Sequence, residues 1–116
     1  MAITGIHASF SSPSAQEVRT FLRDVIGLPY TDISGGFLVF DVPDAEVAAT
    51  ESTEIAHDIS FACDDLEATI ADLRAKGVKF SNGTSEELWG FRTDFEMPGG
   101  TRVMLYQPKY QRTPQR

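Results

Sequence analysis

The chain has 116 residues, 41% of them hydrophobic, which indicates one folded domain or two small intertwined modules rather than a disordered chain. Its formal net charge of −7 excludes nucleic acid and anionic membranes as partners, because both bind cationic surfaces. The single cysteine, Cys63, excludes an internal disulfide framework and is typical of a reducing compartment. The N-terminus lacks a basic and apolar leader, and no apolar run approaches the roughly 20 residues of a membrane span, so a cytoplasmic location is expected.

The chain begins with the pattern of a half-buried strand. Residues 3–10 alternate in character, with Ile6 and Phe10 on one face and His7 and Ser9 on the other. The break at residues 12–14 then ends the strand. A histidine on the polar face of a strand is a candidate metal ligand if that face lines a cavity.

A helix and three further strands follow. Ser14 and Glu17 have the spacing of a capping box, and the predicted helix runs from there to about Ile26, with Gly27 as the left-handed residue after it. Strands are predicted over residues 28–33, 37–42 and 45–50. The second of these is apolar on both faces, which is typical of a strand covered on both sides.

The second half of the chain repeats this order of elements. A strand is predicted over residues 55–63, then a helix capped at Asp64 and ending at Lys76, with Gly77 after it. Three more strands are predicted over residues 78–80, 91–96 and 102–108. A repeat of one supersecondary unit indicates two modules that bury their faces together.

The last strand follows a tight turn at residues 98–100, where proline and two glycines allow the chain to reverse. Val103 and Leu105 give it an apolar face. Arg102, Met104 and Tyr106 give it a mixed face.

Four segments, taken together and in order, resemble the glyoxalase/bleomycin resistance/dioxygenase (vicinal oxygen chelate) superfamily. They are Gly5-Ile-His7, Phe21-Leu-Arg-Asp-Val-Ile-Gly-Leu28, residues 63–78, and Pro98-Gly-Gly100 with Leu105-Tyr-Gln-Pro108. The resemblance implies an α+β fold in which two βαβββ modules form a paired half-barrel with the helices outside. It divides the single domain of residues 1–116 into module one (about 1–52), module two (about 53–108) and a polar tail (109–116). It also implies a small-molecule ligand on the concave face of the sheets and a homodimer.

The resemblance further implies where a divalent metal ion would bind, since the family takes one ligand from the first and one from the last strand of each module. Here those positions hold His7, Glu46 and Asp58, which could bind Fe, Mn, Ni or Zn. The fourth position departs from the family pattern because it holds Met104 instead of a glutamate. A thioether is a poor ligand for such ions, so a site without metal is a serious alternative.

His57 and Asp58 compete for the position on the first strand of module two. His7 and His57 each lie twenty residues before a helix-ending glycine, which favours His57. The strand pattern favours Asp58, which shares a face with Ser60, whereas His57 shares a face with Phe61, which should meet the helix. Asp58 is therefore the predicted cavity residue and His57 a structural one.

Several side chains are candidates for lining a pocket on the concave face. A tryptophan there can form a flat wall for a planar ligand, and an arginine would favour a ligand that carries a carboxylate. The candidates are Ser9, Ser60, Trp89, Arg92, Arg102, Met104 and Tyr106.

Two functions remain open from the sequence. In the first, a metal-dependent lyase, isomerase or dioxygenase holds its ion with His7, Asp58 and Glu46. In the second, a metal-free protein binds or sequesters a small aromatic or drug-like molecule, and Met104 in place of the glutamate favours this alternative.

Overall fold

The computed structural model describes residues 7–42, 45, 48, 51, 53–54, 58–81 and 83–110. Within these residues the elements are α1 (Ala15–Phe21) continued by a π-helical turn (Leu22–Ile26), β1 (Tyr30–Ser34), β2 (Phe37–Phe40), β3 (Ser60–Ala62), α2 (Leu66–Ala75), β4 (Ser85–Glu87), β5 (Gly90–Glu96) and β6 (Arg102–Pro108). The α+β class is therefore confirmed. Glu46, His57 and most of the strand predicted over residues 45–50 lie outside the described residues.

Module two shows the predicted βαβββ order as β3, α2, β4, β5 and β6. These strands form a four-stranded sheet of order β3-β6-β5-β4, in which β3 runs parallel to β6 and the other pairs are antiparallel. One detail of the prediction is wrong. Residues 78–80 do not form a strand but a single bridge between Phe80 and Phe95, and the strand in this position is β4, whose polar sequence carries no apolar alternation.

The core lies between one face of this sheet and the helices. Phe95 is completely buried on β5, and its ring packs at centroid distances of 5.9 to 6.4 Å from the rings of Phe21, Phe61 and Phe80. Val103 and Leu105 of β6 are buried beside it, as the alternation predicts. Both helices contribute to the same cluster, whose buried helical members are Val18, Leu22, Leu66, Ile70 and Leu73.

The two helices begin differently. In α2 the Asp65 carboxylate accepts a hydrogen bond from the Ala68 N–H at 3.1 Å, so the cap lies one residue later than predicted. In α1 the predicted capping box is wrong, because the Ser14 side chain makes no capping hydrogen bond. Instead the Ser14 N–H donates to the Ser12 Oγ at 3.0 Å, which holds the chain before the helix.

The end of α1 also departs from regular α-helix. The N–H groups of Gly27 and Leu28 both donate to the Leu22 carbonyl at 3.0 Å, and Gly27 adopts the left-handed conformation with φ 81°. The prediction that the first helix ends at Gly27 is therefore confirmed, although its last turn is π-helical instead of α-helical.

In the described residues of module one, β1 and β2 form a two-stranded antiparallel sheet. The turn between them is held by Asp32, whose carboxylate accepts from the Gly36 N–H at 3.1 Å. The prediction that residues 37–42 are covered on both sides is wrong, because Phe37 is 53% exposed and every residue of β1 is exposed. Of the strand predicted over residues 3–10, residues 3–6 lie outside the described residues, and residues 7–10 form no strand, although Phe10 packs on the core.

The helices in the described part of the chain are all too short or too polar to cross a membrane.

Candidate functional site

The face of the four-stranded sheet opposite the core carries most of the predicted pocket residues. Strand alternation places them there, and the pairing of the strands brings them into two rows. Ser60, Met104 and Asp94 are direct neighbours across β3, β6 and β5. The second row consists of Ala62, Tyr106, Arg92 and Ser85 on β3, β6, β5 and β4.

An ion pair lies in the centre of this face. The Nη2 of Arg92 lies 3.0 Å from Oδ1 and 3.2 Å from Oδ2 of Asp94, two residues along β5. The side chains of Arg92 and Asp94 are 34% and 16% exposed, so the carboxylate is the more enclosed partner. Partial burial makes this pair stronger than a fully exposed one.

Asp94 was not among the candidates from the sequence. It lies directly opposite Met104, the residue expected from the family resemblance to occupy the position of a glutamate. The alternation within residues 91–96 places Asp94 on the same face as Arg92, so the sequence alone could have identified Asp94 as a further candidate for this face. Its position beside Met104 depends on the strand register, which one sequence does not provide.

A depression of about 310 Å³ opens beside the ion pair. Its lining is mostly polar and comes from β4, β5 and the loop before them. The Ser85 hydroxyl donates to Glu87 Oε2 at 3.1 Å within this lining. The lining residues are Gly83, Ser85, Glu87, Arg92, Thr93 and Asp94.

Trp89 and Tyr106 form an aromatic wall beside Arg92 on this face of the sheet. The Trp89 ring packs edge-on against the Tyr106 ring, with centroids 5.6 Å apart and planes at 79°. The Tyr106 and Tyr110 hydroxyl groups lie 3.4 Å apart, and the Lys109 N–H donates to the Trp89 carbonyl at 2.9 Å. These contacts tie the turn that carries Trp89 to the end of β6, while 38% of Trp89 stays exposed.

The remaining candidates lie away from these rows. Arg102 is exposed and pairs in register with Glu96 at the opposite end of β6 from Tyr106. His7 and Ser9 are exposed in the irregular segment before α1, and Asp58 is exposed just before β3.

The described residues do not fit a metal centre. Among them, no three histidine, cysteine, aspartate or glutamate side chains lie close enough to share an ion. Around Met104 the nearest carboxylate in register, Asp94, is already engaged by the Arg92 guanidinium, whose positive charge opposes a cation. Glu46, the third predicted ligand, lies outside the described residues.

Cys63 follows β3 and is half-buried. Its thiol donates to the Tyr106 carbonyl at a sulfur–oxygen distance of 3.5 Å. Burial raises the pKa of the thiol, which keeps it protonated and weakly nucleophilic. Cys63 is therefore a small packing residue at the edge of the core rather than a nucleophile.

Comparison with known proteins gives consistent results at the level of fold. TnmS3, an antibiotic binding protein from Streptomyces sp. CB03234, is 21% identical with a TM-score of 0.70, and the match covers 94% of this chain and 99% of that one. A Glyoxalase/bleomycin resistance protein/dioxygenase superfamily member from Sphaerobacter thermophilus DSM 20745 is 18% identical with a TM-score of 0.62, covering 90% and 98%. Lactoylglutathione lyase from Agrobacterium tumefaciens is 16% identical with a TM-score of 0.56, covering 83% and 87%.

A comparison with curated protein sequences returns no significant match. The profile of one family, however, matches residues 6–105. The chain therefore belongs to the Glyoxalase/Bleomycin resistance protein/Dioxygenase superfamily.

Proposed function

We propose that this protein binds a small aromatic molecule on the open face of the four-stranded sheet, without a metal ion. The observation that carries the proposal is the Trp89–Tyr106 pair beside the half-buried Arg92–Asp94 ion pair. A planar ligand gains contact area and stacking energy from such a wall, and a few fixed polar groups next to it determine its orientation.

The choice of a binding protein over a metal-dependent enzyme depends on donor chemistry. Met104 supplies a thioether where a carboxylate would be needed, and the Asp94 carboxylate beside it is held by Arg92. The similarity in fold to an antibiotic binding protein and to lactoylglutathione lyase fits either function, whereas the site residues support the binding protein.

The first experiment combines elemental analysis with a binding titration. Trp89 is the only tryptophan in the chain, so quenching of its fluorescence by an aromatic ligand reports on this site. We expect protein purified without chelator to hold no stoichiometric metal and to show saturable quenching. A near-stoichiometric metal that is lost in His7→Ala would contradict the proposal and support the enzyme.

A matched pair of variants then locates the binding site. Tyr106→Ala removes the ring against which Trp89 packs and should weaken binding about tenfold, which corresponds to about 1.4 kcal/mol. Tyr106→Phe keeps the ring and should bind nearly as well as the wild type. Calorimetry is the suitable measurement, because both variants alter the surroundings of the fluorophore. Equal affinities in all three proteins would place the ligand elsewhere.

We further propose the homodimer that the family resemblance implies. One face of the two-stranded sheet exposes large apolar side chains that a second copy would cover, namely Ile33 and Phe37. Light scattering after size-exclusion chromatography should give twice the mass of the 116-residue chain. A monomer mass at all concentrations would contradict this assembly.

A further inference from the structure

The charges around the depression on the four-stranded sheet do not cancel. Its lining contains two carboxylates, Glu87 and Asp94, and one cation, Arg92. Arg92 contacts Asp94 through both carboxylate oxygens, so these two charges neutralise each other. Glu87 is half-buried, and the contact it makes within the lining is with the neutral Ser85 hydroxyl. The lining therefore has one excess negative charge, located at Glu87.

This balance changes the expectation that an arginine on the concave face favours a carboxylate-bearing ligand. An anionic ligand that approached Arg92 would compete with Asp94 for the guanidinium and meet the Glu87 carboxylate in the same depression. Like charges placed together in a partly enclosed site disfavour binding. The net charge of −7 on the whole chain adds to the repulsion at long range.

The aromatic wall points in the same direction. The faces of tryptophan and tyrosine rings carry a negative quadrupole and attract ammonium groups. Trp89 packs on Tyr106, which lies directly opposite Arg92 in the pairing of β6 with β5. Arg92 in turn lies opposite Ser85 on β4. The wall and the excess negative charge therefore border the same region of one sheet face.

We propose that the ligand of this site is a cationic aromatic molecule, a planar ring system that carries a protonated amine. The ring lies against Trp89 and Tyr106, and the ammonium group pairs with the Glu87 carboxylate. The Arg92–Asp94 pair stays intact beneath it and contributes hydrogen bonds rather than net charge. This inference rests on the proposed function, since it names the class of ligand for the same site.

The test compares three probes that share one ring and differ in charge. They are naphthylmethylamine as the cation, naphthylmethanol as the neutral analogue and naphthoate as the anion. Calorimetry on the full-length wild type at neutral pH should show the amine binding on the order of tenfold tighter than the alcohol, and the naphthoate weaker than both. If all three bind equally, or if the naphthoate binds tightest, the inference is overturned while the proposed function stands. If none binds, the proposed function fails.

Two variants with the same change in net charge assign the effect to one residue. Glu87→Gln removes the excess charge from the lining, so the ratio between the amine and alcohol affinities should fall from about tenfold to the roughly twofold preference that the aromatic rings alone would give. Glu67→Gln makes the same change at an exposed position in the first turn of α2, and it should leave the wild-type ratio unaltered. A preference for the amine that stays at the wild-type ratio in Glu87→Gln would overturn the assignment, as would its loss in Glu67→Gln.

Discussion

The two sheets of this protein both contain strands with apolar side chains and yet differ in their environment. Residues of the four-stranded sheet alternate between a buried face, with Phe95 at 0% exposure, and an open face that carries charged and aromatic groups. In the two-stranded sheet every residue of β1 is exposed, although Tyr30 and Ile33 are as apolar as the core residues. The hydrophobic pattern therefore specifies a strand in both places, but only contact with the helices turns one of them into a core.

This difference also explains where the candidate site lies. A fixed set of side chains needs a rigid support, and the central strands β5 and β6 have neighbours on both sides. The hairpin of β1 and β2 instead exposes every residue of β1. The predictions below test this contrast between a supported and an uncovered sheet.

The largest effect is expected from truncating the same residue type in each sheet. Phe95→Ala empties the centre of the core and should lower the free energy of unfolding by about 3–5 kcal/mol. Phe37→Ala removes a ring that is 53% exposed within one chain, so in protein dilute enough to be monomeric it should cost about 1 kcal/mol or less. Urea unfolding followed by circular dichroism measures both values. Similar losses in the two variants would contradict the contrast.

Substitutions at two glycines, one crowded and one in open space, test how closely β5 and β6 approach each other in the four-stranded sheet. A Cβ at Gly90 would overlap the Gln107 carbonyl oxygen and lie 3.1 Å from the Pro108 Cα, so Gly90→Ala should destabilise the protein by roughly 1–3 kcal/mol. Gly83 has open space around its Cα and no positive φ, so Gly83→Ala should be nearly neutral. Thermal unfolding of the two variants gives the comparison. If Gly90→Ala is as stable as the wild type, the pairing of β5 with β6 is looser than described.

A smaller effect separates the two helix starts. Asp65→Ala removes a side-chain cap of α2 and should cost about 1 kcal/mol. Ser14→Ala removes a side chain that makes no capping hydrogen bond to α1, and its cost should be only a few tenths of a kcal/mol. Urea unfolding of both variants measures the difference. A larger loss for Ser14→Ala would restore the capping box that the sequence predicted.

The smallest effect concerns pH. Because burial raises the pKa of the Cys63 thiol above 9.0, the folded state keeps its proton when the unfolded chain has already released it. The resulting contribution to stability is full below pH 9.0 and is lost as the pH rises through the folded pKa. The stability difference between the wild type and Cys63→Ala should therefore shrink as the pH rises above 9.0. A difference that stays constant or grows would show that the thiol is not buried.

Much of the fold follows from local pattern. The predicted apolar stripe of Leu66, Ile70 and Leu73 on α2 is buried. The alternation of residues 102–106 correctly assigns Val103 to the buried face of β6 and Met104 to the open face. These predictions work because the period of apolar residues reflects which face meets the core. The capping box at Ser14 has the right spacing but fails, because Ser12 binds the Ser14 amide instead.

The candidate site was predicted less completely because it depends on neighbours across strands. Met104 and Arg92 could be placed on faces, whereas the position of Asp94 beside Met104 requires the register of β5 against β6. The depression itself is lined in part by β4, a polar segment that periodicity does not identify as a strand. The metal ligands were inferred from resemblance, and of those His7 and Asp58 are exposed in irregular segments.

The central claim is that the four-stranded sheet, and not the two-stranded one, carries the binding site. Nitrogen-15 NMR during titration with naphthylmethylamine tests it directly, because each backbone amide reports its own surroundings. We predict the largest shift changes at the Trp89 indole N–H and at amides of β4, β5 and β6, with β1 and β2 unaffected. Changes concentrated in the hairpin from Tyr30 to Phe40 would contradict the account.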